Sequence, residues 1–191
     1  MLTLDMSASL IIALVGMVYP ILTERMLDDF LSGNQTAKKI IVATGASEKF
    51  LAFPGNDLPG IYGAGAVQTL MNVAGVKPAE KVLMVGAGNI GLIVSYQLMQ
   101  AGVEIAAVLE AGPRIGGYLV HASKIARQGV PILTKHTVKE AYGDGKLEGV
   151  VICELDEKWQ QIPGTEKDIK CDTLCLAVGL SPLTELCWQA G

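Results

Sequence analysis

The stretch KVLMVGAGNIGLIVSYQLMQAG, residues 81–102, limits what this chain can fold into more than any other part of its sequence. It begins with a run of apolar residues, continues through a loop with three glycines, and ends in a helix-like pattern closed by Gly102. A continuous apolar run is typical of a strand covered on both faces of a parallel sheet, and a glycine often ends a helix. The stretch therefore predicts a strand, a tight turn and a helix, as in a βαβ unit.

The glycines of this loop have the spacing G-x-G-x-x-G. Between a strand and a helix, the first glycine allows the tight turn, the second lets a pyrophosphate approach the backbone, and the third lets the helix pack closely. Free N–H groups and the positive end of the helix dipole then bind the phosphates. The alternative is a glycine-rich turn that binds nothing. We predict a dinucleotide-binding loop made of Gly86, Ala87, Gly88, Asn89, Ile90 and Gly91.

The next predicted strand, EIAAVLE, ends at Glu110. Dinucleotide-binding folds place an acid there, roughly 20 residues after the glycine loop. A carboxylate at this position accepts hydrogen bonds from the adenosine ribose 2′-OH and repels a 2′-phosphate, which favours NAD over NADP. Arg114 lies close in sequence, and an arginine can instead accommodate the 2′-phosphate. NAD is therefore the predicted cofactor, with NADP as the less favoured alternative.

The remainder of the chain continues the same alternation of strands and helices. We predict strands over 40–43, 81–85, 104–110 and 130–134, helices over 64–74, 89–102 and 116–129, and short strands over 2–36. Residues 136–156 then predict two strands around a Gly-Asp-Gly turn, and residues 161–179 add another turn and a final apolar strand. The predicted fold class is α/β: a Rossmann-like βαβ parallel sheet with an antiparallel three-stranded meander, plus the β-rich end of a second domain.

Composition argues against several kinds of partner and site. The net charge is −4 and no basic patch stands out, so nucleic acid is not an expected partner. The four cysteines match neither zinc-site spacing nor a CxxC redox pair, and we expect no metal site and reduced thiols in a cytoplasmic protein. Cys171 and Cys175, four residues apart, are predicted to share one face of the last strand.

Residues 6–23 carry no charge and just reach the length of about 18 residues that a membrane helix needs. Gly16 and Pro20 interrupt the run and favour short strands separated by turns. Asp5 stands where a signal peptide would carry positive charge. We therefore expect strands here, with a membrane segment as the less favoured alternative.

Three motifs together carry a resemblance to a known family. They are IIVATGA at 40–46, VGAGNIG at 85–91 and CDTLCLAVGLSP at 171–182. In this order and spacing they resemble the FAD-dependent pyridine nucleotide-disulfide oxidoreductases, the flavoproteins of the glutathione reductase type. FPGNDLPGIYGAGAVQTLMN, residues 53–72, is similar to the branch with the sarcosine oxidase alpha subunit and opine dehydrogenase subunits.

This resemblance implies an oxidoreductase in which hydride passes from NAD(P)H to FAD. It implies that Val178 and Gly179 lie near the nicotinamide, and that Ala43, Thr44 and Gly45 lie against the FAD. It also implies the domain division: residues 1–47 end an FAD-type domain, 48–80 form a crossover loop and helix, 81–182 form the NAD(P)-binding domain, and 183–191 begin the return to the FAD domain.

The chain also departs from the family pattern. We find no first glycine fingerprint for the FAD, no flavin-site Gly-Asp motif after residue 182 and no redox CxxC pair. We therefore expect the FAD to need a flavin-binding subunit or further chain segments, and we name no catalytic residue. The alternative is a non-catalytic dinucleotide-binding or structural remnant of such a flavoprotein. A short-chain dehydrogenase is disfavoured, because its Tyr and Lys spacing occurs only at Tyr142 and Lys146, around a predicted hairpin turn.

Overall fold

The computed structural model describes residues 11–14 and 40–189 of the chain. Glu48–Gly179 forms one compact unit, and the described residues before and after it belong to another. The strands are β1 (Ile11–Leu14), β2 (Ile40–Ala43), β3 (Ala46–Glu48), β4 (Ile61–Gly63), β5 (Lys81–Val85), β6 (Glu104–Glu110), β7 (Ile132–Thr134), β8 (His136–Tyr142), β9 (Gly149–Glu154), β10 (Lys167–Lys170), β11 (Thr173–Leu176) and β12 (Leu180–Pro182). The helices are α1 (Ala64–Asn72), α2 (Asn89–Gln100), α3 (Leu119–Ala126) and α4 (Glu185–Gln189).

A five-stranded parallel sheet forms the centre of the larger unit, in the order β4-β11-β5-β6-β7. Its middle strand β5 is buried along Val82–Val85, and its side chains alternate between two cores. Val82 and Met84 pack with the helices, while Leu83 and Val85 pack with the antiparallel sheet. The apolar run of β5 is thus explained by cover on both faces, as predicted.

The second sheet is antiparallel and has the order β10-β9-β8. Val138 of β8 with Val150 and Ile152 of β9 fills the core between the two sheets. The larger unit therefore has three layers: helices, parallel sheet and antiparallel sheet. The predicted fold class, with its parallel sheet and three-stranded meander, is confirmed.

Several predicted elements differ in detail from the structure. The strand β4 was missed, because three residues after a Pro-Gly loop carry no readable period. The predicted helix 116–129 begins only at Leu119, so Gly116 and Gly117 lie in a loop. The predicted helix 64–74 ends at Asn72. The two helix differences are errors at element ends, where local patterns are weakest.

The cysteine prediction was partly wrong. Cys171 precedes β11 and packs in the core between the sheets, whereas Cys175 faces the helices. The strand begins only at Thr173, so strand alternation does not extend back to Cys171. Burial raises the pKa of both the Cys171 and Cys175 thiols to about 12. Burial also raises the pKa of Cys153, whereas Cys187 is exposed.

These environments predict how the thiols react. A thiol-specific reagent at pH 8 should modify Cys187 rapidly, while the three buried cysteines react only after unfolding. Only the thiolate is the nucleophile, and the raised pKa values of Cys171 and Cys175 keep them protonated up to about pH 10. The Cys187→Ser variant is the control and should lose the rapid phase. Rapid modification of two or more thiols in the native protein would contradict the described core.

In the smaller unit, β1 pairs in parallel with β2, and β3 with β12 forms a second two-stranded sheet. The strand predicted over residues 40–43 is confirmed. Of the strands predicted over residues 2–36 and the segment 6–23, only β1 lies within the described residues. Across residues 11–14 and 40–189, no helix has both the length and the apolar character needed to cross a membrane.

Candidate functional site

The glycine loop lies at the carboxyl end of the parallel sheet, where β5 ends and α2 begins. Gly86 follows β5 directly, and Gly88 is the residue that precedes the first turn of α2. The side chain of Ala87 is fully buried between them. Ligands of open α/β sheets bind outside the carboxyl ends of the strands. The fold therefore places the predicted loop where a dinucleotide would bind.

Two of the three loop glycines are required by the protein itself. Gly86 has φ +105°, and a Cβ atom there would lie 2.3 Å from the carbonyl oxygen of Ala177. A Cβ atom on Gly91 would lie 1.9 Å from the carbonyl oxygen of Gly86. Gly91 thus lets α2 begin directly against the loop. Ala177 packs against both Gly86 and Gly91, and sequence reasoning missed it. Ala177 lies within the motif at 171–182, but only its contact through space gives it a role in the loop.

Gly88 differs from its two neighbours. Its φ of −73° is open to any residue, and a Cβ atom there would meet no atom of residues 11–14 and 40–189 within 4 Å. No side chain caps the first turn of α2, which Gly88 precedes. The open space therefore lies beside N–H groups at the positive end of a helix, an arrangement that favours anions. These residues fit the pyrophosphate of a dinucleotide.

The Glu110 carboxylate is bound to the same loop. Its Oε2 accepts a hydrogen bond from the Ala87 N–H at 3.0 Å, and its Oε1 accepts one from the Gly112 N–H at 2.9 Å. A carboxylate has about four acceptor positions, so both oxygens can still accept a bond from a hydroxyl. Glu110 is half-buried at the end of β6. Its carboxylate is thus fixed in direction beside the loop and keeps capacity for a ribose.

A second segment, Gly117 and Tyr118, lies against the glycine loop and was missed by sequence reasoning. The Gly117 N–H donates to the Ala87 carbonyl oxygen at 2.9 Å. The Tyr118 N–H donates to Asn89 Oδ1 at 2.8 Å. The sequence carries one signal for this segment, the Gly-Gly pair at 116–117, since two adjacent glycines are typical of a loop and not of the predicted helix start. We call these two residues the 117–118 segment.

The other predicted site residues fall into two groups. Val178 and Gly179 follow Ala177 just beyond β11, the neighbour of β5, and the Gly179 carbonyl oxygen accepts a hydrogen bond from the Lys49 N–H at 2.9 Å. Ala43, Thr44 and Gly45 lie in the smaller unit, at and after the end of β2. There the Thr44 hydroxyl donates to the Leu183 carbonyl oxygen. The roles of these five residues stay predictions.

Tyr142 and Lys146 do not form a catalytic pair in the structure. The Tyr142 hydroxyl donates to the Asp168 carboxylate and accepts a hydrogen bond from Lys170 Nζ at 2.7 Å. Tyr142 reaches these partners on β10 across Gly149, which offers no side chain in between. The contacts join the three strands of the antiparallel sheet, so this cluster stabilises the sheet.

Comparisons with known proteins identify the family of the chain. The sequence pattern of the family described as "Pyridine nucleotide-disulphide oxidoreductase" matches residues 23–191. The chain belongs to this family. The resemblance drawn from the three motifs is thereby confirmed, and the family's description names oxidoreductases of pyridine nucleotides.

Individual relatives define how much of a longer protein the chain matches. Hydrogen cyanide synthase subunit HcnB of Pseudomonas aeruginosa is 31% identical over 174 residues, covering 80% of this chain and 36% of that protein. Sarcosine oxidase subunit alpha of Corynebacterium sp. is 30% identical over 152 residues, covering 78% of this chain and 15% of that protein. The T. acidophilum thioredoxin reductase structure shares the fold, with a TM-score of 0.64 and 24% identity over 80% of this chain and 47% of its own. The chain thus spans well under half the length of both curated relatives.

Proposed function

We propose that Glu48–Gly179 binds NAD(H) and serves as the nicotinamide-nucleotide module of a flavin-dependent oxidoreductase. One observation carries the proposal: Gly88 faces open space beside the uncapped N-terminus of α2. No contact among the described residues requires a glycine there, whereas the approach of a pyrophosphate to the backbone would. Membership of a family that uses pyridine nucleotides supports the same conclusion.

The proposed residues have separate tasks. The backbone N–H groups from Gly88 to Gly91 hold the pyrophosphate at the positive end of α2. The Glu110 carboxylate accepts a hydrogen bond from the adenosine ribose and repels a 2′-phosphate, which favours NAD over NADP. The bonds from the Ala87 and Gly112 N–H groups keep that carboxylate in one direction before the ligand arrives.

The redox step requires a second cofactor. When bound, NADH supplies a hydride for which the FAD of the family is the proposed acceptor. The chain's own part is to orient the nucleotide, with Val178 and Gly179 next to the nicotinamide. Residues 43–45 lie against the flavin in this proposal. Because two relatives are named as subunits of larger enzymes, we also propose that a partner subunit or further segments complete the flavin site.

A calorimetric titration of the purified chain with NADH, and in parallel with NADPH, tests this proposal. We expect NADH to bind at least about tenfold more tightly, which corresponds to about 1.4 kcal/mol, because Glu110 repels the 2′-phosphate. Circular dichroism on the same sample establishes that the chain is folded. If the folded chain binds neither nucleotide, the proposal is wrong. If NADPH binds more tightly than NADH, the proposed preference for NAD over NADP is wrong.

A further inference from the structure

Gly117 approaches the glycine loop more closely than any side chain would allow. A Cβ atom on Gly117 would lie 2.9 Å from the carbonyl carbon of Gly88 and 3.0 Å from the nitrogen of Asn89. It would also lie 2.6 Å from Cδ1 of Leu92. The leucine can turn away, but the other two atoms belong to the backbone of the loop. Alanine at this position therefore requires either the loop or the 117–118 segment to move.

The contact involves the part of the loop that would meet phosphate. The Asn89 N–H begins α2 and is among the N–H groups proposed to bind the pyrophosphate. A methyl group 2.9–3.0 Å from the two atoms of that peptide bond would displace the backbone that carries the N–H. At the same time the Gly117 N–H holds the Ala87 carbonyl oxygen at 2.9 Å. Gly117 thus fixes the loop through its N–H and adds no side chain that would push the loop away.

We propose that Gly117 is a positioning residue of the dinucleotide site, a fourth glycine that the G-x-G-x-x-G pattern does not include. The inference rests on the proposed function. It assigns a new task to Asn89 as well. Because Asn89 Oδ1 accepts the Tyr118 N–H bond at 2.8 Å, its side chain holds the 117–118 segment in place while its own N–H faces the phosphate.

The test compares Gly117→Ala with Gly116→Ala, two adjacent glycines whose φ values are both ordinary. A Cβ atom on Gly116 would meet nothing closer than Gly88 Cα at 3.9 Å, which is a normal contact. We expect Gly117→Ala to weaken NADH binding at least tenfold in a calorimetric titration, and Gly116→Ala to weaken it less than threefold.

A second ligand separates positioning from general damage to the fold. Adenosine contains the ribose that Glu110 would bind but has no pyrophosphate, so its affinity, followed by NMR shifts, should change less than twofold in Gly117→Ala. Equal losses for NADH and adenosine would mean that the whole site is distorted, and the positioning role would be wrong. If the wild type binds NADH and Gly117→Ala binds it equally well, this inference fails while the proposed function stands. If the wild type binds no nucleotide, both fail.

Should Gly117→Ala not fold, Asn89→Ala tests the same contact without adding atoms. It removes the acceptor of the Tyr118 N–H bond. We expect NADH binding to weaken at least threefold and hydrogen exchange of the Tyr118 amide to become at least tenfold faster. Unchanged values for both would overturn the inference.

Discussion

Gly88→Ala is expected to remove most of the affinity for NADH and leave the fold intact. The added methyl group meets no atom within 4 Å in the part of the chain that the structure describes, and φ of −73° suits alanine. It would, however, occupy the space through which the pyrophosphate reaches the backbone. We expect binding to weaken about tenfold or more by calorimetric titration. The free energy of unfolding should change by about 1 kcal/mol or less, because alanine restricts the unfolded chain but is less favourable than glycine at the residue before a helix.

Gly91→Ala is the matched control for this substitution. It places the same methyl group three residues away, but 1.9 Å from the carbonyl oxygen of Gly86. A backbone atom cannot turn aside, so we expect the free energy of unfolding in urea to fall by about 2 kcal/mol or more. If Gly88→Ala lowers the free energy of unfolding as much as Gly91→Ala does, Gly88 is required for packing within the protein. The inference that it leaves room for a pyrophosphate would then be wrong. Undiminished NADH binding in stable Gly88→Ala would also contradict the proposed site.

Glu110→Ala is expected to have the second large effect. It removes the proposed ribose acceptor and leaves the N–H groups of Ala87 and Gly112 without their partner. We expect NADH binding to weaken about tenfold or more, because the bound ribose hydroxyl then lacks its acceptor. One unpaired buried group costs about 1–3 kcal/mol. The preference for NADH over NADPH should shrink, because the charge that repels the 2′-phosphate is gone. Titration of the variant with both nucleotides measures both changes.

Glu104→Ala is the control with the same change in charge. Glu104 begins β6 and Glu110 ends it, roughly 20 Å apart at the rise of a strand. Glu104 is 63% exposed and pairs with Lys81 on the surface, with 2.6 Å between Oε1 and Nζ. Surface pairs contribute about 1 kcal/mol or less, so nucleotide binding should not change. Equal losses in both variants would point to overall charge and contradict a specific carboxylate site.

The sequence predicted those parts of the fold that depend on local pattern. β5, α2 and β6 were readable because an apolar run, a helical period and glycine spacing each occur within a few residues. The loop residues and Glu110 followed from the same short stretch. β4 was not readable, because its three residues become a strand only through pairing with β11.

The missed parts of the site depend on contacts between distant segments. Ala177 lies beside Gly86 and Gly91 because β11 is inserted next to β5. Gly117 touches the glycine loop because the chain after β6 turns back over it. Neither contact leaves a period or a spacing in the sequence. Only the three-dimensional arrangement could therefore distinguish the glycine at 117 from the one at 116.

The position of β11 also matters during synthesis of the protein. This strand is made last in the larger unit but lies between β4 and β5, near the middle of the sheet. Ribosomes add about 5–20 residues per second. For several seconds the edges of β4 and β5 that later pair with β11 therefore have no partner strand. Open strand edges are sites of aggregation. The sheet therefore becomes complete only after Thr173–Leu176 has left the ribosome. A shorter nascent chain exposes an incomplete sheet, to which chaperones can bind.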